Sequence, residues 1–181
     1  VLDTARPDLL SVYGHPRPTS PFLERFASRG TRFDRAYSSS SWTLPAHGSL
    51  FTGVSPKVHQ ANQTFRKIDD ARVLLPEQLF EAGFQTAGFS AKLGMGGLGG
   101  LARGFEHFEN LNKGIYAPHI KSLAADRSES LTPTTNHYVV DRVHEWLRKK
   151  RDPDRPFFLF VNLVEPHLPY LPAWEAARHF L

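Results

Sequence analysis

Asp3, Thr43 and His167 are the residues of this sequence whose types and settings could combine into chemistry. Thr43 stands in Ser41-Trp42-Thr43-Leu44-Pro45-Ala46-His47, just ahead of an expected helix start. A hydroxyl there lies in a field that favours negative charge, with free backbone N–H groups close by. An alkoxide and a bound sulfate or phosphate would both be stabilised at such a place. A free threonine hydroxyl is a poor nucleophile, so it needs a metal or a base. Asp3 follows the apolar pair Val1-Leu2, and Glu165-Pro166-His167 follows an apolar run. Each residue alone also has a plainer reading. Thr43 suits a helix N-cap, Asp3 a turn or cap, and His167 a loop histidine satisfied by backbone. His47 and His59 fit core or capping positions equally well.

The elements that must position these residues can be read from periodicity and punctuation. Val1-Leu2-Asp3 reads as the end of a buried strand. Ser20-Pro21 opens a helix, with Ser20 as N-cap and Pro21 at the first helical position. Phe22, Leu23, Phe26 and Ala27 form its expected apolar stripe, and Gly30 stops it. Thr31 to Tyr37 reads as a strand. A short helix starts near Pro45 and carries Leu50 and Phe51. Leu75 to Gly83 is helical, and Phe84 to Ser90 is a strand. Leu93 to Gly104 is glycine-rich and reads as a loop, since Gly94-Met95-Gly96-Gly97 lacks dinucleotide-binding spacing. Lys113 to Pro133 has no clear period and reads as a long excursion. Val139, Val140, Val143, Trp146 and Leu147 have helical spacing, so Thr134 to Lys150 is an amphipathic helix. Phe157 to Val164 is apolar on both faces, as a central parallel strand requires. Trp174 to Leu181 reads as another helix, cut short. Strands alternate with helices, so the class is α/β with a mostly parallel central sheet flanked by helices. In such sheets ligands sit at the carboxyl ends of the strands, where Asp3, the Thr43 segment and His167 all fall.

Composition narrows the function classes. The chain has 181 residues, 40% of them hydrophobic, enough for one domain with a core. No internal domain boundary is visible. Net charge is +4, and no basic run is dense enough to suggest nucleic acid. Cysteine is absent, which removes disulfides and thiolate metal sites and leaves the compartment unread. No apolar run approaches the roughly 18 residues of a membrane span, and no signal peptide is visible. HExxH and P-loop motifs are missing too. Asn62-Gln63-Thr64 fits a glycosylation triplet.

Taken together, ordered blocks of the sequence resemble the sulfatase family, within the alkaline phosphatase superfamily. Leu2-Asp3-Thr4-Ala5-Arg6-Pro7-Asp8, Tyr13-Gly14, Thr19 to Leu23 and Gly30 to Phe33 look like the opening of these enzymes. Thr43-Leu44-Pro45-Ala46-His47-Gly48-Ser49-Leu50-Phe51-Thr52-Gly53, with Pro56 and His59 behind it, resembles the signature around the nucleophile. Gly83 to Phe89, Arg103 to Phe108, and Phe160 to Pro172 resemble later blocks. The resemblance implies an alkaline-phosphatase/sulfatase-like fold, here as the N-terminal part of a catalytic domain spanning residues 1–181, C-terminally incomplete and truncated at both ends. It implies hydrolysis of an anionic sulfate or phosphate ester at a divalent metal such as calcium, zinc or manganese. Asp3 matches a metal ligand, and Thr43 matches the nucleophile, which also contacts the metal. His167 matches a histidine that binds the transferred group or helps the leaving group. Lys92 lies near the family's anion-binding lysine, one position from the expected spacing. His47 follows the Pro-Ala pair and is placed to orient the nucleophile. The remaining ligands, an Asp-His pair, are expected past the end of the chain.

The departures from the pattern sharpen the chemistry. Sulfatases carry a cysteine or serine that is oxidised to formylglycine, and threonine cannot give that aldehyde. The family's arginine after the Pro-Ser/Ala pair is His47, and its second aspartate is Thr4. These changes resemble threonine-nucleophile relatives, among them phosphodiesterases, phosphonate hydrolases and phosphoglycerol transferases. The implied mechanism is a metal-activated Thr43 alkoxide attacking sulfur or phosphorus, with a covalent ester on Thr43. Lys92 and helix amides would stabilise charge, and His167 would act as general acid. A phosphoglycerol or phosphoethanolamine transferase, and a non-catalytic binding module, are the competing expectations. Such a transferase would carry membrane helices upstream. The family pattern leans towards an extracytoplasmic or membrane-attached full-length protein.

Overall fold

The structure, a computed structural model, describes residues 1–62, 64–92, 95–96, 99–111, 135–167 and 178. Its centre is a parallel sheet. Strand β1 (Gln85–Ser90) lies between β2 (His107–Asn110) and β3 (Phe157–Asn162), giving the order β2-β1-β3. Ala87 pairs with His107 on one side and Leu159 on the other. Beyond β3, Leu2 forms an isolated parallel bridge with Leu163. The Asp3 amide donates to the Leu163 carbonyl at 2.9 Å, and the Leu163 amide to the Val1 carbonyl at 2.9 Å. The expected buried first strand is thus only a bridge. Val1 and Leu2 are exposed, so no described residue covers a longer pairing.

The period-2 alternation of β3 explains why it is apolar throughout. Phe158 and Phe160 enter one core with Phe51, Ile68, Leu74 and Leu101. Leu159 and Val161 enter the opposite core with Phe89, Val139 and Trp146. Helices cover both faces, which is the α/β layering the sequence predicts. On the first face lie α2 (Thr43–Thr52), the one-turn α3 (Pro56–His59) and α4 (Leu75–Glu81). On the second lies α5 (Thr135–Lys149), whose Val139 and Trp146 are buried. Val140, expected in its apolar stripe, is 40% exposed, because it falls beside rather than on the sheet-facing line. Helix α4 opens with the Glu77 carboxylate accepting the Leu74 amide at 2.7 Å, which satisfies one orphan donor. Its first turn packs on Gly104, where φ is +79° and a Cβ would stand 2.2 Å from the Glu77 nitrogen. Strand β2 was not resolved by periodicity, being only four residues long and half-buried throughout.

Contacts divide the chain into two compact units, Thr4–Ser38 and the remainder. Within the smaller unit, two short 3₁₀ turns (Pro7–Leu9 and Ser11–Tyr13) precede α1 (Pro21–Ala27). Ser20 occupies the N-cap position, but its hydroxyl accepts the Val12 amide at 3.0 Å and leaves the helix uncapped. The expected apolar stripe of α1 is not covered: Phe22 is 64% and Phe26 63% exposed. Thr31 to Tyr37 is not a strand. Among the described residues no strand pairs with it, and Arg32 instead donates to the Val12 carbonyl and stacks over Tyr13 at 5.5 Å. The excursion at 113–133 and the helix expected at 174–181 lie outside the described residues, apart from Arg178. No described helix is long and apolar enough to cross a membrane.

Candidate active site

The polar residues singled out above converge at the carboxyl end of the sheet. Asp3 follows the bridge to β3, Lys92 follows β1 by two residues, His167 follows β3, and Thr43 starts α2. This is where the ends of parallel strands leave a crevice and where helix N-termini present free amides.

Thr43 is the first residue of α2, not its cap. Trp42 holds the cap position with extended backbone (φ −121°, ψ 141°). Pro45 at the third position has no N–H to leave unpaired, which suits a helix start. The Thr43 hydroxyl faces Asp3 Oδ2 at 3.5 Å, the outer limit of a hydrogen bond. Asp3 is buried, at 6% exposure. The same Oδ2 lies 3.7 Å from Lys92 Nζ. Lys92 Nζ in turn donates to His167 Nε2 at 2.7 Å. One ammonium thus stands between a carboxylate and an imidazole, with the threonine hydroxyl facing the same carboxylate oxygen.

The loop that carries Lys92 is pinned on both sides. Its amide donates to Ser90 Oγ at 3.1 Å, and its carbonyl accepts Asn110 Nδ2 at 3.3 Å. The His167 turn is pinned through Glu165. That carboxylate accepts the Thr135 amide at 2.9 Å and the Asn136 amide at 3.0 Å, the first free donors of α5. The Asn136 side chain returns two bonds, donating to the Glu165 carbonyl and accepting the Val164 amide.

His47 does not touch the Thr43 hydroxyl. Its Nδ1 is 2.8 Å from the Thr43 main-chain carbonyl, one helical turn back, and its Nε2 is 3.1 Å from Asn162 Nδ2. Burial pushes its pKa below the usual histidine value, against the raising effect of the Thr43 carbonyl, so the ring is neutral near pH 7. His59 packs against Gly48 of α2, outside the polar cluster. Its Nε2 is 3.1 Å from Ser49 Oγ and its Nδ1 accepts the Ala61 amide at 3.1 Å. Sequence reading missed Asn162 altogether. Its signal was present: it is the single polar residue in the apolar run Phe157 to Val164, at the carboxyl end of β3.

The donors available to a cation are the Asp3 carboxylate and the Thr43 hydroxyl. Both are oxygen ligands, right in kind for a hard divalent ion. Calcium takes six to eight such ligands, and structural or catalytic zinc at least three from protein. Among the described residues no group of three or more His, Asp or Glu side chains could hold a metal. The pair is therefore a partial donor set.

Comparisons with known proteins identify the family and the fold. A model of the sulfatase family matches residues 1–180. An N-acetylgalactosamine-6-O-sulfatase of Bacteroides thetaiotaomicron is 35% identical over 142 residues, covering 74% of this chain and 25% of that protein. An arylsulfatase of Clostridium perfringens is 24% identical over 217 residues, covering 95% of this chain and 43% of that protein. The chain thus spans between a quarter and a half of the length of these relatives. Among solved structures, a protein in complex with its substrate D-glucosamine-2-N,6-O-disulfate has a TM-score of 0.74 at 19% identity, over 94% of this chain and 34% of that one. The phosphonate monoester hydrolase of Agrobacterium radiobacter has a TM-score of 0.73 at 17% identity, over 92% and 40%. These two share the fold, the alkaline-phosphatase/sulfatase-like α/β arrangement. With a family match that runs along nearly its whole length, the chain belongs to the sulfatase family.

Proposed function

We infer that this chain carries the nucleophile-bearing half of a sulfate-ester hydrolase site, with Thr43 as the nucleophile. The observation that supports this most is the continuous set Thr43–Asp3–Lys92–His167, linked by separations of 3.5, 3.7 and 2.7 Å. It puts a hydroxyl, a carboxylate, a cation and an imidazole at one strand-end crevice.

A divalent cation sharing Asp3 and Thr43, with further ligands from outside the described residues, would acidify the hydroxyl and screen the ester's charge. The chain's own residues supply the rest. The Thr43 oxygen attacks sulfur as the bond from sulfur to the alcohol oxygen breaks. The hydroxyl proton leaves towards Asp3 Oδ2, the acceptor it already faces. Lys92 and the first α2 amides offset the charge on the sulfuryl oxygens. The Lys92–His167 pair gives a proton to the departing oxygen. Water then cleaves the sulfate ester on Thr43, releasing hydrogen sulfate and restoring the hydroxyl, while the proton held by Asp3 returns to the Lys92–His167 pair across the 3.7 Å between Oδ2 and Nζ. His47 holds the backbone of Thr43 and takes no proton.

The absence of cysteine keeps phosphate and phosphonate esters in the same test, because a threonine alkoxide can attack either centre. The longest form of the protein that its source encodes is loaded with calcium, zinc or manganese. It is then assayed on an aryl sulfate and on phosphate mono- and diesters. Turnover of the sulfate, lost in Thr43→Ala and partly kept in Thr43→Ser, is the expected result. Wild-type turnover by Thr43→Ala would sink the nucleophile assignment. Preference for a phosphate ester would move the substrate class, transfer to an added alcohol would indicate a transferase, and silence on every ester with no metal uptake would indicate a binding module.

A further inference from the structure

We propose that Asn162 is a positioning residue: it fixes the tautomer and orientation of His47, and through that ring holds the backbone of Thr43 at the start of α2. The consequence for turnover rests on the reading of Thr43 as nucleophile, whereas the tautomer does not.

The hydrogen-bond polarity follows from chemistry. The Thr43 carbonyl can only accept, so His47 Nδ1, 2.8 Å away, must carry a proton. The amide nitrogen of Asn162, which can only donate, stands 3.1 Å from Nε2, so Nε2 is the accepting nitrogen. The opposite amide orientation would set two acceptors against each other.

Burial makes this arrangement specific. Asn162 is 0% exposed, and its Oδ1 has no partner among the described residues. A buried amide with one end unsatisfied is a cost that an apolar residue in β3 would avoid. The amide's only described side-chain bond goes to His47, which indicates what retains it there.

The ring is held from a second direction by the same strand. Phe160, two residues earlier and hence on the same face of β3, meets His47 edge to face at a centroid distance of 5.8 Å and 88°. Phe160 and Asn162 therefore fix both the plane and the rotation of the imidazole. That imidazole caps the carbonyl of the residue whose hydroxyl points at Asp3. Strand β3 thus sets the azimuth of the first turn of α2, and a misplacement of about 1 Å there would cost up to about 100-fold in rate.

The test has two arms. In the first, ¹⁵N spectra of the histidines are recorded on the full chain at pH 7.5. His47 is expected with a proton on Nδ1 and none on Nε2. In Asn162→Asp, the carboxylate should draw a proton onto Nε2. A wild-type ring protonated at Nε2, or no change in Asn162→Asp, overturns the proposal regardless of activity. In the second arm, Asn162→Leu is made alone and in a His47→Ala background of the longest active form. A loss in kcat of about 10- to 100-fold with KM little changed is expected for the single variant. No further loss is expected when His47 is already absent, because Asn162 acts through it. Equal losses in both backgrounds would refute the relay. If Asn162→Leu does not fold, the first arm still decides, and retention of turnover by Thr43→Ala would undo only the nucleophile reading.

Discussion

Lys92 Nζ donates to His167 Nε2 at 2.7 Å, so the imidazole cannot hold its own proton at that nitrogen while the bond persists. The proton needed by a leaving oxygen belongs to the pair, not to His167 alone. Removing either member should therefore hurt esters with poor leaving groups most. For His167→Ala and Lys92→Met, an alkyl sulfate should lose about 10²- to 10⁴-fold, the usual contribution of general acid catalysis. A nitrophenyl sulfate, whose phenolate leaves unaided, should lose far less through His167→Ala. Lys92→Met should also raise KM if, as proposed, its ammonium offsets the charge of the bound ester. Equal losses on both leaving groups for His167→Ala would remove it from proton transfer.

Glu165 belongs to the same loop but does different work. Its carboxylate accepts two amides at the start of α5, and Glu165→Ala leaves both without partners. The expected cost is about 1–2 kcal/mol, from the lost cap and the lost charge at the helix N-terminus. Glu165→Gln keeps an acceptor and should cost about half as much. Urea titrations of the three proteins check this, and an unchanged midpoint for Glu165→Ala would mean the clamp contributes nothing.

Much of the arrangement was legible because it rests on local rules. Helical spacing located α5, terminal Gly83 bounded α4, and an apolar run on both faces marked β3 as an interior parallel strand. Asp3, Thr43 and His167 stood out as polar residues at strand ends, and the resemblance to the sulfatase family gave them their expected roles. Two things were not legible. Whether Phe22, Phe26 and Thr31 to Tyr37 are covered depends on neighbours that periodicity does not name. Whether a polar residue in an apolar strand faces a helix or the solvent depends on register, and that concealed Asn162 until its partner His47 was placed.

Burial pushes the pKa of His59 below its usual value of 6.5, although neighbouring backbone groups act to raise it. The unfolded chain takes up a proton at this residue near 6.5, and the folded protein only at a lower pH. Between the two the unfolded state holds more protons, so stability is present above 6.5 and falls as pH drops through that window. The slope is at most about 1.4 kcal/mol per pH unit for this one residue. Replacing His59 with Gln should flatten the stability–pH curve just below pH 6.5. A variant curve that merely shifts down, parallel to wild type, would show that another group sets the slope.

Gly48 offers the sharpest packing prediction, because its missing side chain is what lets His59 close on α2. A Cβ at Gly48 would stand 2.9 Å from His59 Cε1. The ring cannot easily retreat, since Ser49 Oγ and the Ala61 amide hold its two nitrogens at 3.1 Å each. Gly48→Ala should therefore destabilise by about 1–3 kcal/mol through overpacking. Alanine is intrinsically better than glycine inside a helix by about 1 kcal/mol. In a His59→Ala background the clash is gone and only that propensity gain remains, so Gly48→Ala should there be neutral or stabilising. A double-mutant cycle in urea measures the difference directly. A change of sign between backgrounds is the expected signature, and the same penalty in both would show that the helix, not the histidine, rejects the extra carbon.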